Sequence, residues 1–86
     1  MREVFVPDRM SYLTAVGLAV RRLRKRAGLT QHQVTSSLGL ETQSAWSKIE
    51  HGHVNVGVVQ LARFAQLAGV SLVQLAEEID NLNVKT

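Results

Sequence analysis

Between Thr30 and Gly52 the chain carries two helix starts separated by a glycine turn, and this close succession constrains the fold more than any other feature. Thr30 followed by Gln33 is a capping-box pair, in which the hydroxyl accepts from the backbone three residues on and the amide reaches back. Val34 and Leu38 then fall on one helical face, and Gly39 supplies the residue that ends the helix. Thr42 stands where a second helix is capped, and Trp46 and Ile49 form that helix's inner stripe. The stretch therefore reads as two short helices joined by a tight turn.

Helix signals continue on both sides, and almost no strand pattern accompanies them. Ser11 is placed to cap a first helix running to about Ala27, with Leu13, Val16, Val20 and Leu23 on one face and Gly28 behind it. Gly17 inside that helix costs about 1 kcal/mol relative to alanine, which a close helix contact would explain. Asn55 is placed to cap a fourth helix carrying Val58, Leu61, Phe64, Ala65 and Ala68, with Gly69 after it. Ser71 and Gln74 repeat the capping-box pattern before a fifth helix with Leu72, Leu75, Ile79 and Leu82. The expected fold is all-α, a compact five-helix bundle over residues 11–80. Residues 1–10 form an N-terminal arm in which Val4-Phe5-Val6-Pro7 suggests a strand or an extended segment, and 81–86 form a C-terminal tail.

With 86 residues and 45% hydrophobic composition, the chain is one small ordered domain, and pairing with a second copy would help bury its surface. Cysteine is absent, which removes disulfides, thiolate metal sites and cysteine nucleophiles. No apolar run approaches the length of a membrane span, and the first residues lack a signal peptide's apolar core, so a cytoplasmic location is expected. The net charge of +3 conceals an asymmetry. From Arg9 to Arg63 eight Lys/Arg face only Glu41 and Glu50, a balance of +6; from Phe64 to Thr86 Lys85 faces Glu77, Glu78 and Asp80, a balance of −2. Five of the six residues from Arg21 to Arg26 are cationic, and a helix spreads them around its circumference, so they cannot all serve one face. Such a basic surface suits a polyanion.

The ordered pattern Gly28-Leu29-Thr30-Gln31, Val34, Leu38-Gly39, Ser47-Lys48-Ile49-Glu50 and Gly52, continued by Leu61, Ala65, Gly69-Val70-Ser71-Leu72 and Leu75, resembles the Cro/cI-type, or XRE-like, helix-turn-helix family. The resemblance spans Val16 to Ile79 and implies a lambda-repressor-like bundle that binds double-stranded DNA. Two departures stand out. Thr35 occupies a position that is usually alanine, and one additional residue lies between Gly39 and Glu50, near Leu40-Glu41.

In that family the second helix of the motif enters the major groove, its outward stripe reading base edges while its inner stripe packs on the bundle. Here the outward positions are Thr42, Gln43, Ser44, Ser47 and Lys48. Glutamine can pair with adenine N6 and N7, and lysine can donate to guanine or to phosphate, so Gln43 and Lys48 lead the candidate base readers. Gln31, at a helix N-terminus that favours anions, is implied to bind phosphate. Arg22, Lys25 and Arg26 are further phosphate candidates, as are His51, His53 and Asn55 in the following loop. The resemblance makes Arg24 and Glu50 a structural ion pair between the first and third helices. Ile79 and Leu82 are expected to lie outside the monomer core and to form a dimer interface, with Leu72 and Leu75 inside.

The resemblance implies a sequence-specific DNA-binding transcriptional regulator, a homodimeric repressor occupying an inverted repeat; charge and capping by themselves imply only a basic helical module. The alternatives are an antitoxin that binds both a toxin protein and its operator, a restriction-modification controller, or a protein-interaction adaptor that binds no DNA. No cofactor is expected. His51 and His53 lack a third ligand, so no metal site is expected either. Glu77, Glu78 and Asp80 have no nucleophile or metal set beside them, which argues against an enzyme.

Overall fold

A computed structural model describes residues 9–83, except the side chain of Arg9, and places five helices along them. They are α1 (Arg9–Arg26), α2 (Gln31–Leu38), α3 (Gln43–Glu50), α4 (Val58–Ala68) and α5 (Leu72–Leu82). Most of the expected arm, and residues 84–86 of the expected tail, lie outside the described residues.

Both capping boxes form as expected. Thr30 accepts from the Gln33 amide at 3.0 Å while the Gln33 side chain accepts from the Thr30 amide at 2.8 Å, and Ser71 with Gln74 repeats the pair at 3.0 and 2.8 Å. Thr42 caps α3 through the Ala45 amide. Two starts differ from the sequence reading. Helix α1 begins at Arg9, so Ser11 lies within its first turn rather than capping it; neither Arg9 nor Met10 breaks a helix. Helix α4 begins at Val58 with Gly57 as its N-cap and no side-chain cap, which leaves Asn55 exposed in the preceding loop. That later start puts the first turn of α4 at the surface, and Val58, expected inside, is 66% exposed.

The core gathers where the helices converge. Ala19, Val20 and Leu23 of α1, Val34 and Leu38 of α2, Trp46 and Ile49 of α3, Phe64 and Ala65 of α4 and Leu75 of α5 are all buried together. Trp46 and Phe64 stand at its centre with ring centroids 5.0 Å apart. Burying such large side chains contributes roughly 1.5–3 kcal/mol each. Helix α1 packs on α3 and α5, α2 on α3 and α4, and α4 on α5.

On α5 the expected division is partly reversed. Leu75 is fully buried, but Leu72 is 40% exposed, whereas Ile79 and Leu82 are half-buried and pack against the core. Leu72 is the first residue of the helix, beside its cap Ser71, whereas Leu75 lies one turn further in and is buried.

Candidate nucleic-acid interface

Helix α3 is held from beneath by one buried carboxylate. Arg24 Nε donates to Glu50 Oε2 at 2.5 Å and Arg24 Nη2 donates to Oε1 at 3.1 Å, a fork-to-fork pair joining α1 to the end of α3. The Trp46 indole, one turn earlier, donates to Oε2 at 2.5 Å, and Gln31 Nε2 donates to Oε1 at 3.0 Å. Arg24 also donates to the Leu29 carbonyl at 2.9 Å, so it anchors the chain entering α2. Burial by itself pushes the Glu50 carboxyl up; the hydrogen bonds from Arg24, Gln31 and Trp46 and the arginine's charge outweigh it and hold the group below its ordinary 4.5. Among the described residues no buried side-chain nitrogen or oxygen lacks a partner.

The sequence reading missed two members of this cluster. Trp46 lies four residues before Glu50, a helical contact distance, and a buried indole N–H needs an acceptor, so the signal was available. The family resemblance points to Gln31 only as a phosphate ligand. Its side chain faces two ways: the amide nitrogen meets Glu50, and the amide oxygen accepts from Gln43 Nε2 at 3.2 Å. It thus links the buried pair to the first residue of α3.

With Trp46, Ile49 and Glu50 turned inward, the remaining positions of α3 carry the candidate readers. Gln43, Ser44 and Lys48 are exposed, Ser47 is half-buried, and exposed Thr42 precedes them with its hydroxyl 3.2 Å from that of Ser44. His51 closes the helix with Nδ1 2.7 Å from the Ser47 carbonyl, and its ring lies 5.9 Å from that of His53. Both histidines are exposed, as is Asn55, which lines a shallow pocket with Tyr12, Leu13 and Val16.

The cationic run of α1 divides as its helical spacing requires. Arg24 goes inward, while Arg21, Arg22, Lys25 and Arg26 are exposed. Arg22 lies 3.8 Å from Glu78 of α5, so it partly serves a contact between helices. Arg63 directs its guanidinium to the carbonyls of Ser37 and Leu38 at the end of α2, each at 3.4 Å.

The departures from the family pattern are both accommodated locally. Thr35 is buried, and its hydroxyl donates to the His32 carbonyl at 2.9 Å, so the polar atom is satisfied within its own helix. The turn between α2 and α3, where the additional residue falls, spans residues 39–42. Gly39 takes the left-handed conformation, φ 70°, that a glycine adopts without strain. Leu40 donates to the Thr35 carbonyl at 3.0 Å and packs on the core, and Thr42 still caps α3.

This arrangement defines a class: a short helix held rigidly on a bundle, with a polar arc outward and cations around it. A family model for the helix-turn-helix domain matches residues 15–78, and the chain belongs to that family. It is 40% identical over 65 residues to an uncharacterized HTH-type transcriptional regulator, y4dJ, of Sinorhizobium fredii, a match covering 76% of this chain and 83% of that protein. Among solved structures it resembles the clp gene regulator ClgR of C. glutamicum, with a TM-score of 0.80 and 21% identity over 87% of this chain and 96% of that one. It also resembles the restriction-modification controller protein C.AhdI of Aeromonas hydrophila, with a TM-score of 0.66 and 28% identity over 73% of this chain and 94% of that one.

Proposed function

We propose that this DNA-binding transcriptional regulator acts as a homodimeric repressor, each protomer laying α3 in the major groove of one half of an inverted repeat. The observation that carries the reading is the Glu50 cluster. It joins α1, α2 and α3 through one buried carboxylate and so fixes the outward arc of α3 relative to the cations of α1. Gln43 and Lys48 read base edges in this account, Thr42, Ser44 and Ser47 supply shorter contacts, and Gln31, Arg22, Lys25, Arg26, His51, His53 and Asn55 lie along the phosphates. Occupying the operator excludes polymerase without any further domain. This reading puts the protein in the cytoplasm, and among the described residues no single helix is long and apolar enough to cross a membrane.

The second copy is proposed to pair through α5. Ile79 and Leu82 are only half-buried, and exposed Leu72 and Ala76 lie on adjoining parts of the same side of the helix. Two-fold pairing there would set two copies of α3 about 34 Å apart, the spacing of successive major grooves on one face of the duplex. The likeness to C.AhdI favours a narrower variant, in which the regulated genes are those of a restriction-modification system.

Selection of bound sites from random duplexes, followed by a footprint, tests the proposal. The expected winner is an inverted repeat protected at two half-sites on one face. Enrichment of no sequence, or of single sites without symmetry, contradicts it.

A further inference from the structure

We propose that Glu41 is a further specificity-determining residue, its carboxylate accepting a hydrogen bond from the exocyclic amino group of a cytosine. The assignment rests on the reading of α3 as the groove-entering helix.

Three observations meet at this side chain. From Arg9 to Arg63 only two acidic residues interrupt the cations, and Glu50 is enclosed in its cluster, so Glu41 is the one carboxylate of that stretch left at the surface. It stands in the turn between α2 and α3, flanked by Leu40, which packs on the core, and Thr42, which caps α3. Those neighbours turn inward or serve the helix end, and Glu41 is exposed between them. Its side chain forms no ion pair or hydrogen bond with any described residue.

A carboxylate at this end of α3 faces a polyanion, and like charge makes that position unfavourable unless a donor meets it. The major groove offers two kinds of base-edge donor, the N4 amino group of cytosine and the N6 amino group of adenine. Adenine places the N7 acceptor beside its amino group, and guanine presents acceptors alone, so both repel an anion that can only accept. Thymine offers an acceptor and a methyl group. Cytosine is the base whose groove edge a carboxylate fits, and exposed Glu41 lies two residues before the first residue of α3, the end of the helix where base contacts concentrate.

The test compares full-length wild type, Glu41→Ala and Glu41→Gln in parallel selections from random duplexes, then measures affinity for the wild-type winner and for duplexes changed at one base pair. Wild type is expected to favour cytosine at one position of each half-site by roughly five- to one-hundred-fold. Glu41→Ala loses that preference while keeping the others, and Glu41→Gln shifts it toward adenine. Melting of Glu41→Ala is expected to match wild type; a clear fall makes the carboxylate structural and overturns the assignment. If both variants keep every base preference and bind all duplexes more tightly by one common factor, the carboxylate only repels phosphate, and the assignment fails while the reading of α3 stands. Wild type enriching no sequence overturns both.

Discussion

Glu50 accepts four hydrogen bonds from Arg24, Gln31 and Trp46, and the cost of stranding such a group sets the first prediction. A buried ion pair adds little net stability, yet removing one partner leaves an uncompensated charge and costs about 3–5 kcal/mol. Arg24→Ala is therefore expected to lower the melting temperature sharply in the absence of DNA. Arg22→Ala should barely change it, because the Arg22 side chain is 59% exposed and its ion pair with Glu78 is long. The pH dependence follows from the same carboxylate. Its folded pKa lies below the ordinary 4.5, so it contributes stability that is fully present above 4.5 and is lost as pH falls through the lower folded value. Melts from pH 7 down to pH 3 should show that loss in wild type, with a smaller acid-dependent change in Glu50→Gln. Equal melting of Arg24→Ala and wild type would remove the pair from its structural role. The pair itself was legible only through family resemblance, since Arg24 is one of five neighbouring cations and only the helical phase of a folded α1 singles it out.

At the scale of elements, α3 keeps its position partly because α1 approaches it closely at Gly17. A Cβ there would meet the carbonyl oxygens of Glu50 and Ile49 at 2.5 and 2.7 Å. Alanine is the better helix former by about 1 kcal/mol, so a site free of neighbours would gain stability from the change. Here the obstacle is backbone, and overpacking costs of about 1–3 kcal/mol are expected to win. Gly17→Ala should thus melt below wild type and weaken DNA binding by displacing the end of α3; a variant that melts higher contradicts the close approach. The helices themselves were largely readable. Capping boxes at Thr30 and Ser71 are local chemistry, so their start positions could be read without tertiary information. Asn55 misled for the complementary reason: it is a good cap by type, but the extended Gly57 takes that role, so Val58 is the first residue of the helix and meets solvent there. The glutamine link from Gln31 to Gln43 joins residues twelve positions apart on different helices, which no local pattern encodes.

For the whole molecule, the basic α1 to α3 region and the acidic α5 divide the work between DNA and, in our proposal, a second copy. Sequence spacing put Leu72, Leu75, Ile79 and Leu82 on one stripe, but which members face the monomer core depends on how α5 tilts across α1 and α4, which the spacing alone does not fix. Sedimentation of wild type at tens of micromolar is expected to give a dimer. Leu72→Asp with Ala76→Asp, changing exposed positions only, should give a folded monomer with weaker operator binding. A folded variant that still dimerises places the interface elsewhere.

In our proposal α3 reads bases while α1, the start of α2 and the loop after α3 hold the phosphates. Fluorescence anisotropy on the selected duplex and a scrambled one, across a salt series, tests it most directly for wild type, Gln43→Ala, Lys48→Ala and Gln31→Ala. Affinity for both duplexes should fall steeply with salt as counterions are released. Gln43→Ala and Lys48→Ala should each lose about 1–3 kcal/mol of discrimination between the duplexes. Gln31→Ala should weaken both duplexes and also relax discrimination, because it supports Gln43. Equal binding of wild type to both duplexes at every salt concentration, or a uniform loss in Gln43→Ala and Lys48→Ala, would contradict the account.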